Sequence, residues 1–192
     1  MSIEHFIQGA GADHIHLLGE SAPLGRNQAK PLYKAERQWR QSGPDGGGKT
    51  ISTRAARDLV GEAINHPGMD EVPGIAGLRA GYDPKRDVRF ARSVSTKDAE
   101  GNLTPVGGLV NSATGGMALK VNPENQVRLG AVTHEAAHKI LLSDKQFAGT
   151  DHNWPMARLH VHIARQLLGG KHAYALKNYY EGQGVNFGKK II

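Results

Sequence analysis

The sequence predicts an α+β domain in which a small mixed sheet packs on one long amphipathic helix and its flanking helices. Three observations lead there. Apolar residues alternate with polar ones at Val88, Phe90 and Val94, and again at Met117, Leu119 and Val121. From Gln126 the period lengthens to three or four residues, through Leu129, Val132, Ala136 and Ile140. The chain has 192 residues, 39% apolar and 22% charged, which suits one domain with a core of its own.

Along the chain, residues 1–25 carry Gly9, Gly11, Gly19, Pro23 and Gly25 with little periodicity and read as a loosely ordered tail. The domain then spans 26–192. Leu32, Ala35 and Trp39 recur at helical spacing and predict a helix over Asn27 to Gln41. Glycines make 43–50 a flexible connector. Ser52 caps a helix that runs through Ala55, Leu59, Val60 and Ile64 until Pro67-Gly68 stops it. Arg79 to Arg92 is the densest basic stretch and reads as a solvated strand pair with its turn. Strands follow around 88–94 and 117–121, the second bounded by Gly115-Gly116 and Asn122-Pro123. The long helix covers Gln126 to Leu142. After a break, Leu159, Ile163 and Leu167 mark another, with Asn153 as cap, Pro155 in the first turn and Gly169-Gly170 at the end. A last helix runs from His172 to Glu181.

Composition removes several chemistries. Cysteine is absent, which excludes disulfide scaffolds, thiolate zinc sites, iron–sulfur clusters and cysteine nucleophiles. No apolar run reaches the roughly 18 residues of a membrane span. Glu4, Asp13 and Glu20 interrupt the start, so no signal peptide is expected, and the cytoplasm is the expected compartment. The net charge of +6 permits weak, sequence-independent nucleic-acid association.

The chemistry concentrates at His134-Glu135-Ala136-Ala137-His138, an H-E-x-x-H pattern on the long helix. Residues four apart stand one turn above each other, so both imidazoles reach one Zn²⁺. Glu135, one residue along, projects beside the metal as general base for a bound water. Two histidines cannot close a tetrahedral site. The long metzincin pattern would need Gly at 141 and His at 144, where this chain has Leu141 and Asp144. A glutamate ligand on a following helix has only Glu181 to draw on. His152 is the leading third ligand. Asp151 is the alternative, since Gly149-Thr150-Asp151 loosely resembles the Gly-Thr-x-Asp of aspartate zincins. His160 and His162, two residues apart, face different directions and cannot both point at the metal. Tyr174, Tyr179 and Tyr180 are candidates for oxyanion stabilisation, each set against a packing role.

These residues also carry a resemblance. Val132 to His138, then Asp151-His152-Asn153-Trp154-Pro155, then Leu159, Ile163 and Leu167-Leu168-Gly169 resemble a metallohydrolase family of actinobacteria and their phages. Tyr33, Ala35 to Trp39 and Gly184-Val185 are similar to that family's ends. More distantly the pattern resembles SprT-like zincins. The resemblance implies a zincin-like minimal metalloprotease fold, with His134, His138 and His152 as zinc ligands and Glu135 as base. Lys139 departs from it, standing where the family often has a second histidine, and Asn153-Trp154 replace Gly-Pro.

Gly43 to Thr50 matches G-x-x-x-x-G-K-T literally. A phosphate loop needs an apolar strand before it and a helix after it, and Glu36 to Ser42 is polar and helical, so the run reads as a linker. The expected activity is zinc-dependent hydrolysis of a peptide or protein substrate, held in extended form by an edge strand near Met117–Val121. The alternative is a non-catalytic module that retains the fold, either a phage structural protein, with virion association, or a nucleic-acid-associated one.

Overall fold

The computed structural model describes residues 27–42, 46–97, 101–143 and 152–187. The expected tail over 1–25, residues 43–45 of the glycine-rich run and Asp151 lie outside the described residues.

Helix α1 is Ala29–Gln41, and its stripe of Leu32, Ala35 and Trp39 is fully buried. A short strand β1, Thr50–Ser52, leads into α2, Thr53–Asn65, where Ser52 Oγ accepts from the Ala55 amide at 3.2 Å as an N-cap. Pro67 holds His66 extended, which ends α2 and starts a 3-10 turn at Pro67–Met69. Two short helices follow, α3 at Ile75–Gly81 and α4 at Pro84–Asp87. The strands are β2 Val88–Ala91, β3 Ser95–Lys97, β4 Leu103–Pro105, β5 Gly108–Val110, β6 Met117–Lys120 and β7 Gln126–Arg128. Three helices close the order: α5 Leu129–Leu141, α6 Trp154–Leu168 and α7 Gly170–Gly182. No helix among the described residues is long and apolar enough to cross a membrane.

The chain is α+β, and its principal sheet is mixed, in the order β2-β6-β5 with β2 parallel and β5 antiparallel to β6. That order corrects one expectation. Met117–Lys120 is the central strand, flanked on both sides, so it has no free edge to offer a substrate. The edges of this sheet are β2 and β5.

The basic stretch from Arg79 to Arg92 is also not a strand pair. Asp83 caps α4 by accepting from the Lys85 and Arg86 amides, and Pro84 presets the first helical turn. Arg79 is a staple: its guanidinium donates to the carbonyls of Ile64 and His66 and to Asp70 at 2.6–2.9 Å.

The glycine-rich run departs from a free connector. Gly46 and Gly47 are buried. A Cβ on Gly47 would stand 2.5 Å from the Trp39 ring and 2.9 Å from the Gly130 backbone. The carbonyls of Gly47 and Lys49 accept from the Gly130 and Leu129 amides at 2.7 and 2.8 Å, capping the start of α5. Helix before it and strand after it, the loop has the wrong setting for phosphate. Residues 126–128, expected as the first turn of α5, are instead β7, paired antiparallel with β1.

Two apolar clusters hold the elements together. The larger joins α2, the sheet, α5 and α6 through residues such as Val60, Ile64, Leu119, Val132, Ile140 and Leu159. The smaller joins α1, α6 and α7 through Leu32, Trp39, Ala157, Leu176 and Tyr180.

Candidate metal centre

On α5 the four-residue spacing puts His134 above His138, as the helical period requires. His152 arrives from the residues before α6, where Pro155 sits in the first turn. Asn153 takes the cap position but its side chain does not cap; its buried Oδ1 has no hydrogen-bond partner. The His152 backbone has φ +42°, a left-handed conformation that costs a residue with a Cβ. Its carbonyl accepts from the Gln28 amide at 2.7 Å, which ties it to the start of α1.

The three Nε2 atoms converge. His138 lies 3.1 Å from His134 and 3.2 Å from His152, and His152 lies 3.4 Å from His134. A ring nitrogen makes one in-plane bond, as donor or acceptor. Three mutual contacts therefore cannot all be hydrogen bonds. Zinc at about 2.0–2.1 Å from each nitrogen would set tetrahedral ligands about 3.3 Å apart. The observed triangle fits a shared cation, and these three side chains form a group able to hold a metal ion.

Behind His134 stands a second cluster. His134 Nδ1 donates to Glu36 Oε1 at 2.7 Å, and the Tyr180 hydroxyl donates to the same oxygen at 2.7 Å. His160 Nδ1 lies 2.7 Å from the Tyr180 oxygen, and its Nε2 lies 2.9 Å from Thr133 Oγ1. Ligand atoms of Glu36, His134 and His160 also lie within 4.8 Å of one another. The 2.7 Å contact of His134 with Glu36 is too short for two atoms bound to one zinc, and the Tyr180 hydroxyl occupies the same Glu36 oxygen, so this group is a hydrogen-bond network, with His160 Nδ1 3.2 Å from that oxygen. Burial alone would raise the Glu36 carboxyl, but His134 and His160 hold it well below the usual carboxylate range. Burial and the phenol's contact with Glu36 push Tyr180 well above its ordinary value.

Glu135 points at the sheet. It is 6% exposed, and a Cβ on Gly108 of β5 would stand 2.5–2.9 Å from its Cγ, Cδ and Oε1. Only glycine leaves room for this carboxylate. Burial pushes Glu135 up to about 7, eased by His134 and reinforced by Glu36. Burial and the neighbouring His134 lower the other two imidazoles, His138 far below its usual value and His152 to about 4, so both offer lone pairs at neutral pH.

Beside this carboxylate, β5 ends its sheet. Lys120 N donates to Gly107 O and Asn111 N donates to Gly116 O, at 2.9 and 2.8 Å. The antiparallel alternation then turns the amides and carbonyls of Gly108 and Val110 away from β6, toward the edge.

His134 and His138, placed by spacing, and His152, placed by its position after the break, come together. Asp151 lies outside the described residues. Tyr180 is buried on Glu36, and Tyr174 is 58% exposed. His160 is a core histidine inside the network. Lys139 is also buried, donating to Gly115 O at 2.7 Å with Asp87 at 3.8 Å. Three residues were given no site role from the sequence. Glu36 left a signal, a carboxylate inside the apolar stripe of Leu32, Ala35 and Trp39. Gly108 left none. Tyr33, whose ring centroid lies 4.7 Å from that of His152 and 5.9 Å from that of His134, reads locally as an exposed helix residue.

The chain matches no family model, no curated protein and no solved structure. Its class rests on its own architecture: an α+β chain with three converging histidines that could hold a metal ion.

Proposed function

We propose that this chain is a zinc-dependent hydrolase of zincin-like fold that cleaves peptide bonds. One observation carries the reading: the imidazole nitrogens of His134 and His138, on the helix that carries the buried carboxylate of Glu135, meet that of His152 at 3.1–3.4 Å. An all-histidine donor set with no thiolate suits zinc in a catalytic site, where three protein ligands leave one position open. Zinc held there would lower the pKa of a coordinated water to about 7 and polarise the scissile carbonyl.

The protein's own groups do the rest. Glu135, with its carboxyl raised to about 7, accepts the proton that water loses and returns it to the departing amine near neutral pH. Gly108 keeps that carboxylate in place by leaving its path clear. The outward amide and carbonyl of half-buried Val110 offer an extended peptide main-chain partners, two residues along β5 from the buried Gly108 that faces Glu135. A strand-shaped substrate is favoured because the edge beside the base offers main-chain partners.

The test is elemental analysis of purified protein, followed by hydrolysis of an unstructured fluorogenic peptide. Stoichiometric zinc, activity lost to a chelator and activity restored by zinc are expected. Zinc bound without any peptide cleavage would favour the non-catalytic module, and no zinc at all would sink the reading.

A further inference from the structure

Glu36 takes no part in the chemistry above, yet its contacts are the tightest around the centre. We infer that Glu36 is the positioning residue of the metal site, holding His134 as its Nδ1–H tautomer so that the Nε2 lone pair faces the ion. This rests on reading His134, His138 and His152 as ligands.

The proton count supports it. An ionised carboxylate only accepts, so His134 Nδ1 must donate across their 2.7 Å contact. A neutral imidazole has one proton, which leaves Nε2 bare. The Tyr180 hydroxyl donates to the same Glu36 oxygen, so its own oxygen is free to accept from His160 Nδ1. His160 Nε2 then accepts from Thr133. The protons of His134 and Tyr180 both go to Glu36, while His160 Nδ1 also faces the same oxygen at 3.2 Å and the Thr133 hydroxyl also reaches the Gly130 and Leu129 carbonyls at 3.3 and 3.4 Å.

Glu36 is 2% exposed and sits in a stripe with Leu32, Ala35 and Trp39. An ionised group buried there costs stability that an apolar side chain would not. What it provides is ligand orientation and greater basicity at Nε2. The network joins α1, α5, α6 and α7, so a ligand on α5 is oriented by groups from the other three helices.

The test is zinc affinity in the full chain by competition with a colorimetric chelator, alongside the melting temperature without metal. Glu36→Gln keeps the size and an acceptor oxygen but loses the charge. It should weaken zinc binding about 10–100-fold, the usual scale for a partner behind a ligand. Tyr180→Phe, which removes only the hydroxyl, should weaken it about fivefold, the equivalent of one ordinary hydrogen bond. Leu32→Ala, in the same helix face, should lower the melting temperature and leave the zinc affinity of the folded protein unchanged. Should Glu36→Gln not fold, Tyr180→Phe against Leu32→Ala decides alone. Variants at Glu36 and Tyr180 that bind zinc as the parent does overturn the positioning role only. A parent that binds no zinc overturns the metal reading and this inference with it.

Discussion

The two sides of the His134 ring make opposite use of the same side chain. On the Nδ1 side every polar atom finds a partner: Glu36, Tyr180, His160 and Thr133 form a closed chain at 2.7–2.9 Å. On the Nε2 side three nitrogens face one another at 3.1–3.4 Å with no proton arrangement that satisfies all of them. The difference separates a structural network from a group of side chains that could hold a metal ion. Buried polar groups that satisfy one another hold a fold in register. Groups that converge without satisfying one another call for something else between them. The first side is what makes the second possible, because it fixes where the single imidazole proton sits.

The sharpest way to break this comparison is at the base. Glu135→Gln retains size but cannot take a proton, so peptide hydrolysis should fall by about 10²-fold or more while zinc stays bound. Equal rates in variant and parent would remove Glu135 from the chemistry. Gly108→Ala attacks the same carboxylate from the sheet. Its Cβ would stand 2.5–2.9 Å from the Glu135 side chain, which must move. A displacement of that kind costs up to about 10²-fold in rate. Zinc affinity should hold, and steady-state kinetics beside chelator competition separates the two effects.

On the satisfied side the effect is on stability. Thr133→Val removes the hydroxyl that faces His160 Nε2 and leaves a buried acceptor without a donor. A loss of about 1–3 kcal/mol is expected in urea unfolding, with little change in hydrolysis. The mildest probe is pH in the metal-free protein. His138, His152 and His160 are held below their ordinary value by burial, so the unfolded chain takes up their protons first. Unfolding then binds protons, and their contribution is present above about pH 6.5 and lost as pH falls through the folded values. His134, raised by Glu36 against the effect of burial, works the other way, losing its contribution as pH rises through its folded value. Glu135, raised by burial to about 7, also works the other way, because the folded chain takes up its proton first. With three groups against two, stability should decline modestly from pH 7 towards pH 5. A flat profile in urea melts across that range would show that these imidazoles titrate alike in both states.

Local sequence determined what local geometry sets. The 3.6-residue period placed His134 and His138 on one face of α5, and the Ser52 cap with Pro67 bounded α2 within a residue or so. The break before α6, with Pro155 in its first turn, put His152 where a third ligand can enter. Tertiary structure alone decided the rest. Glu36 reaches His134 across 98 positions, and Gly108 meets Glu135 only because β5 packs beside α5. Whether Met117–Lys120 lies at an edge or in the middle depends on which strands find it. Likewise the glycine-rich run became a helix cap only when α5 came to stand against it. Helical period, caps and proline stops act within a few residues of themselves, so they can be read along the chain. Strand order, a carboxylate's partner and the room a glycine leaves are properties of surfaces brought together from distant positions, and no short pattern encodes them.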